Sequence, residues 1–339
     1  MTKKSKTSIL AAIGLLVLIL DTRTSLSGAS VGLELCIRTV IPSLLPFFVL
    51  SILLTSALAG ENIPILRPLG RLCGIPRGAE SLLLVGMLGG YPAGAQCVAQ
   101  AYQNRTLTKH DAQRMIAFCN LAGPAFLFGI VSGKFSNPYI AWALWGIHIG
   151  SAILVAMVLP RISADTATLR SEKQLTLSTA LQRSLRIMAS VCGWIILFRI
   201  IIAFLDRWVL WLLPIPIQVT ITGILELSNG CCDLGRISSE GLRFIISAGM
   251  LAFGGLCVYM QTADVTNGLS LKTYVLGKLL QILFSVVMAS FLQFALFLQS
   301  ERAQISMPFF LVIALGITIT VKFLRKKEKR SSFSQLVGV

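Results

Sequence analysis

The sequence predicts an all-α polytopic membrane protein made of inverted structural repeats, with two re-entrant helical hairpins and two broken transmembrane helices. Three observations lead there. The 339-residue chain is 55% hydrophobic and only 13% charged, with a mean hydropathy of +0.79, a balance suited to lipid rather than water. Its apolar residues gather into runs near the roughly 20 needed to cross a hydrocarbon layer of about 30 Å. Two further apolar stretches, 79–103 and 216–236, are interrupted at their centres. Each half holds about ten residues and reaches about 15 Å, too short to span alone.

In chain order, a first span over 8–21 follows Lys3, Lys4 and Lys6 and defines an N-terminal unit, 1–30. Its basic start, apolar core and small stretch Ser27-Gly28-Ala29 also fit a cleaved signal peptide, but a retained first helix is the expectation taken forward. Spans over 35–58, 109–132 and 138–160, with the interrupted pair 79–103, make a first repeat, 31–160. A linker over 161–179 leads to spans over 184–206, 240–262 and 271–298, which with 216–236 make a second repeat, 180–299. A last span over 307–324 sits in the closing unit, 300–339, and ends in a basic tail from Lys322 to Arg330.

The formal net charge is +16, yet the basic residues alternate with the spans instead of forming one soluble face, which argues against nucleic acid as a partner. Arg67, Arg71, Arg77, Arg105, Lys109 and Arg114 belong to one side together with both termini, whereas the other side holds few: Arg23, Lys134, Arg207, Arg236, Arg243 and Arg302. This asymmetry predicts cytoplasmic termini in a cell membrane.

Internal similarity supports the duplication. A helix from Cys36 and one from Ser184 have Arg38 and Arg186 in register, and Gly86 aligns with Gly223 in the interrupted pairs. The entries to the following helices align Asp111 with Glu240 and Arg114 with Arg243. Three full spans per unit turn the second copy upside down relative to the first, the plan of many secondary transporters.

Unpaired backbone groups cost several kcal/mol each in hydrocarbon, so breaks persist only against protein or a polar cavity. In the first hairpin Gly89, Gly90, Tyr91, Pro92 and Gly94 permit the turn and Gln96 falls in the first turn of the second half-helix, whose N-terminal amides form a positive pole. Facing it is the break at 119–124, with Asn120, Gly123 and Pro124. The second copy offers Glu226, Ser228 and Asn229 at its hairpin tip, then Tyr259 and Gln261 past the break at Gly254. Arg199, inside the fifth span, is paired with Glu226 in this reading, while Lys278 and Arg38 are expected to snorkel and Asp264 to be a loop carboxylate. The substrate-binding set is therefore Gly90, Tyr91, Gly94, Gln96, Asn120, Gly123, Arg199, Glu226, Ser228, Asn229 and Gln261.

The eight cysteines show no CxxC spacing and the two histidines, His110 and His148, form no metal-ligand pattern, so no metal and no cofactor are expected. Nor is there a nucleophile with a matching base, so an enzyme is not expected.

At GGYPAGA (Gly89–Ala95) and FCNLAGP (Phe118–Pro124) the chain resembles the nucleoside-recognition or gate-domain membrane proteins, and among them the YlbJ-like sporulation integral membrane proteins. The resemblance runs from about 30 to 300 and implies a layout similar to concentrative nucleoside transporters. It implies a role in endospore formation, with export of dipicolinic acid across the outer forespore membrane. Leu121 departs from the family, whose members often carry a second polar residue there. A nucleoside would suit the same polar groups, so dipicolinate and a nucleoside-like solute both remain open, as does a non-transporting scaffold. The expected partners are this solute, membrane lipid, a coupling H+ or Na+, and a second copy of the chain.

Overall fold

The computed structural model describes residues 3–58, 63–160 and 175–297, and among them every regular element is helical. Among the described residues, six helices are long and apolar enough to cross a membrane. The chain is thus a multi-pass helical membrane protein. The expected last span, 307–324, the basic tail and most of the linker lie outside the described residues.

The first helix, α1 (Lys3–Leu20), ends at Asp21, whose carboxylate caps α2 (Thr22–Leu35) by accepting from Thr24 N at 3.1 Å. Through a π-helical turn at Cys36–Val40, α2 runs on into α3 (Ile41–Leu58). Pro42 explains that turn, because its ring clashes with the carbonyl four residues back, at Arg38, and it has no N–H to donate. The expected span at 35–58 is therefore one continuous helical passage from Thr22. Its polar first half is held by packing: a Cβ at Gly28 would lie 2.9 Å from Ala203 Cβ, and one at Gly32 3.0 Å from Ile196 Cα. Both contacts are on α10 (Leu177–Trp208), a small-residue crossing of the kind that lets membrane helices approach closely.

Next come α4 (Arg67–Cys73), α5 (Glu80–Gly89), α6 (Ala93–Gln103), α7 (Lys109–Cys119) and a short α8 (Pro124–Phe126) that continues as irregular helix to Lys134. Then α9 (Tyr139–Val158) crosses 20 residues, about 30 Å of rise. After α10 the order recurs as α11 (Ile215–Leu225), α12 (Leu227–Asp233), α13 (Glu240–Phe253), α14 (Gly255–Val265) and α15 (Lys272–Phe297). The breaks fall at 90–92, 120–123, Glu226 and Gly254; glycine or proline marks all but the one at Glu226, whose side chain caps the helix that follows. In the second pair the break is narrower than expected, since Ser228, Asn229 and Gly230 are already helical in α12.

Both short pairs fold back on themselves through glycine. A Cβ at Gly94 would meet Gly86 Cα at 3.1 Å, and one at Gly230 would meet Gly223 Cα at 2.3 Å. Each crossing is closed by the helix that follows. Cys119 O at the end of α7 covers Gly86 and Gly94, while Met250 on α13 covers Gly223 and Gly230.

The aligned arginines sit at opposite ends of α9. Arg114, 3% exposed, donates to Cys73 O (2.6 Å), Gly74 O (3.1 Å) and Ala156 O (2.5 Å), gathering the C-terminal carbonyls of α4 and α9. Arg243 donates to Ile237 O and Lys134 O just ahead of the start of α9. In the middle, α9 and α15 meet through buried polar groups, with Ser285 donating to Ser151 (2.9 Å) and Gln281 to His148 O (3.3 Å).

Candidate functional site

Three of the four breaks, and the helix that starts at the fourth, line one cavity of about 40 Å³. Gly90 and Tyr91 contribute the first break, Ala122 and Gly123 the second, Glu226 the third, and Val258 with Gln261, on the helix that starts at the fourth, complete the wall. The long helical passages that precede the two short helix pairs add an apolar pair apiece, Val40 and Leu44 from one and Val191 and Ile195 from the other.

Close backbone approach brings the breaks together. Gly90 has φ +79°, and a Cβ there would lie 3.2 Å from Gly123 N. Gly254, at φ +81°, lies against Tyr91, so a Cβ would meet the ring carbon Cζ at 3.1 Å. Left-handed backbone and contacts this short admit glycine and little else. Tyr91 ties the first helix pair to α13 by another route, since its hydroxyl donates to Leu251 O (3.1 Å).

Behind Tyr91 lies a cation that the sequence reading expected at the membrane surface. Lys278 is 2% exposed, and its Nζ donates to Asn120 O (2.7 Å), Gln281 Oε1 (2.9 Å) and Tyr91 Oη (3.0 Å). It does not snorkel, because α15 places it against the second break, where an unpaired carbonyl needs a donor. Its ammonium also lies 4.9 Å from the Tyr91 ring centre, within range of an attractive cation–π contact. Next to it, Ala122 N donates to His148 Nε2 at 2.9 Å. The break at 120–123 is thus satisfied by side chains from α9 and α15, as backbone at membrane depth requires.

Asn120 works as a tie in the same place. Its amide nitrogen donates to Thr262 Oγ1 (2.9 Å) and its oxygen accepts from Ala95 N (3.4 Å), in the first turn of α6. The carboxylate of Glu226 accepts from Ser228 N (3.0 Å), Asn229 N (2.7 Å) and Asn229 Nδ2 (2.7 Å). The amide poles of α6 and α12, expected to face a ligand, are both engaged by acceptors of the protein itself.

Of the residues expected to bind solute, Gly90, Tyr91, Gly123, Glu226, Ser228 and Gln261 line the cavity. Gly94, Gln96, Asn120 and Asn229 do not, although Asn120 and Asn229 hold its walls in place. Arg199 is not brought to the site, and its expected pairing with Glu226 does not form. Its guanidinium instead reaches Asp206, seven residues along α10, at 3.2 Å on the side where α2 packs. Asp264 is part of α14 and accepts from Trp194 Nε1 at 2.7 Å. Arg38 is exposed beside Glu34, as expected. The signal for Lys278 was available: Lys278, Gln281 and Ser285 fall at spacings of three and four, a polar stripe on one face of a largely apolar helix.

No family model matches the chain, and no solved structure matches it. Among curated proteins it is similar to the sporulation integral membrane protein YlbJ of Bacillus subtilis strain 168, with 26% identity over 315 residues, covering 78% of this chain and 76% of that protein. The kinship with YlbJ-like proteins expected from GGYPAGA and FCNLAGP therefore stands.

Proposed function

We propose that this relative of a sporulation membrane protein is a transporter of a small acidic solute, with dipicolinic acid as the leading candidate and a nucleoside-like solute as the alternative. The observation that carries the reading is one cavity, largely apolar but with Tyr91, Glu226, Ser228 and Gln261 in its wall, lined by three main-chain breaks and by the helix that starts at the fourth. Non-helical backbone at membrane depth is sustained where it is held by protein or serves a polar space, and paired discontinuous segments at a repeat interface are where secondary transporters bind their cargo.

The inverted repeat belongs to this proposal. It is supported by the recurring order of α5–α9 and α11–α15 and by the two glycine crossings. Further support comes from Arg114 and Arg243, aligned in sequence and held at opposite ends of α9. In this reading α5–α6 and α11–α12 are re-entrant hairpins, α7–α8 and α13–α14 are broken spans, and both termini are cytoplasmic. The cavity, about 40 Å³, has room for a few water molecules at most. A pyridine dicarboxylate is several times larger. The closed arrangement must open by movement of one repeat against the other, and Gly254 against Tyr91 is a contact between them that must slide.

The test is flux. Proteoliposomes holding the full chain are loaded with labelled dipicolinate or labelled uridine, and efflux is compared with empty vesicles. The proposal expects saturable efflux of one of them, slowed by Ser228→Trp, which fills the cavity. Absence of flux for both, from protein that is folded and inserted, favours a scaffold role.

A further inference from the structure

Glu226 is a carboxylate in the cavity wall to which the structure gives no cation. It is 2% exposed, and its partners are uncharged: Ser228 N, Asn229 N and Asn229 Nδ2, with the Ser228 side chain beside them. Two of those N–H bonds fall on Oε2 and one on Oε1. The groups within electrostatic reach are thiols: Cys36 ahead of α3, Cys231 and Cys232 on α12, and Cys257 on α14. Tyr91 shares the cavity. On the other elements packed around α12, α11 carries no ionisable side chain. Glu240 and Arg243 sit in the first turn of α13, where they hold Ser136 N and the carbonyls of Ile237 and Lys134. Asp233, at the far end of α12, pairs with Arg236. Lys278 lies behind Tyr91, with its three donors engaged by other groups.

An acid solute entering this cavity would set its carboxylate beside Glu226, and two carboxylates at one site do not both stay ionised. We infer that Glu226 carries the coupling proton: the carboxylate takes one proton as the acid solute binds and returns it when the solute leaves on the other side. The step forms one O–H bond at the carboxylate with a proton from water on the loading side. That bond breaks to water on the unloading side, giving one proton moved per solute in the same direction. The inference rests on the transport reading and adds the ion and its residue. It has consequences for pH: lower pH on the loading side tightens solute binding, by about tenfold per unit while Glu226 is ionised in the unloaded protein.

The experiment uses the full chain in proteoliposomes with an entrapped pH-sensitive dye and an inward dipicolinate gradient. Wild type is expected to acidify the lumen together with uptake, and its apparent affinity is expected to rise as external pH falls. Glu226→Gln is expected to abolish the acidification and flatten the affinity against pH. Glu226→Asp, which keeps a carboxyl on a similar backbone, is expected to retain both and serves as the measure if the glutamine variant does not fold. Uptake by wild type without acidification overturns the inference and leaves the transport reading intact. So does acidification that persists in Glu226→Gln. Lack of any solute flux overturns both.

Discussion

Replacing Gly94 by alanine puts a methyl group 1.9 Å from Cys119 O and 3.1 Å from Gly86 Cα. A Cβ essentially never approaches a heavy atom closer than 3.0 Å, so α6 and the end of α7 must part by roughly an ångström. Both sides of the clash are backbone, which has no rotamer in which to escape. Overpacking of this kind costs about 1–3 kcal/mol, and the upper end applies here. Alanine recovers up to about 1 kcal/mol through helix propensity. The net loss is about 2 kcal/mol, near a thirtyfold change in the folded fraction. Gly146→Ala is the matched control, because a Cβ there meets nothing within 4 Å. Thermal unfolding of both variants in the same detergent, followed by size-exclusion chromatography of heated samples, reads the difference. Gly94→Ala should lose on the order of 5 °C relative to Gly146→Ala. Equal midpoints would refute the close crossing of the first helix pair, and with it the geometry that sets Gly90 and Tyr91 at the cavity.

Tyr91→Phe keeps the ring and removes the hydroxyl that accepts from Lys278 and donates to Leu251 O. Solute flux should fall severalfold with the protein still inserted, and unchanged flux would remove the hydroxyl from the mechanism. Arg114→Ala strips the donors from carbonyls of α4 and α9 and should destabilise the protein by about 3 kcal/mol, whereas Arg38→Ala, at an exposed pair, should leave the melting temperature nearly unchanged. Arg199→Ala should leave solute affinity unaltered, because that side chain pairs with Asp206 away from the cavity; a tenfold loss of affinity would place it back in the site. Asn120→Ala removes the ties to Thr262 and Ala95 N, and should lower both melting temperature and maximal flux more than it lowers solute affinity.

The breaks were legible because glycine and proline act locally. Pro124 begins α8, and Gly254 takes a left-handed conformation wherever its neighbours lie. Of the polar residues beside those breaks, Tyr91, Glu226, Ser228 and Gln261 line the cavity. What could not be read was partnership across the chain. Arg199 and Glu226 are complementary in charge, but sequence carries no distance, and Asp206 on the same helix face is nearer to the arginine. Lys278 resembled a snorkelling lysine because it lies six residues into α15. Its burial follows from a carbonyl at Asn120, 158 residues away, that needs a donor. The stretch 22–34, which lies between the expected spans 8–21 and 35–58, is helical. The contacts made by Gly28 and Gly32 with α10 stabilise it, and tertiary packing outweighs local composition there.

Whether solute occupies the cavity at the breaks can be measured with a single thiol. Ser228→Cys, in a version lacking the eight native cysteines, is treated in proteoliposomes with a small thiol-reactive cation while dipicolinate is titrated. The account predicts that saturating solute slows the labelling at least tenfold and that completed labelling stops flux. Labelling at the same rate with and without solute, alongside undiminished flux after labelling, would contradict it.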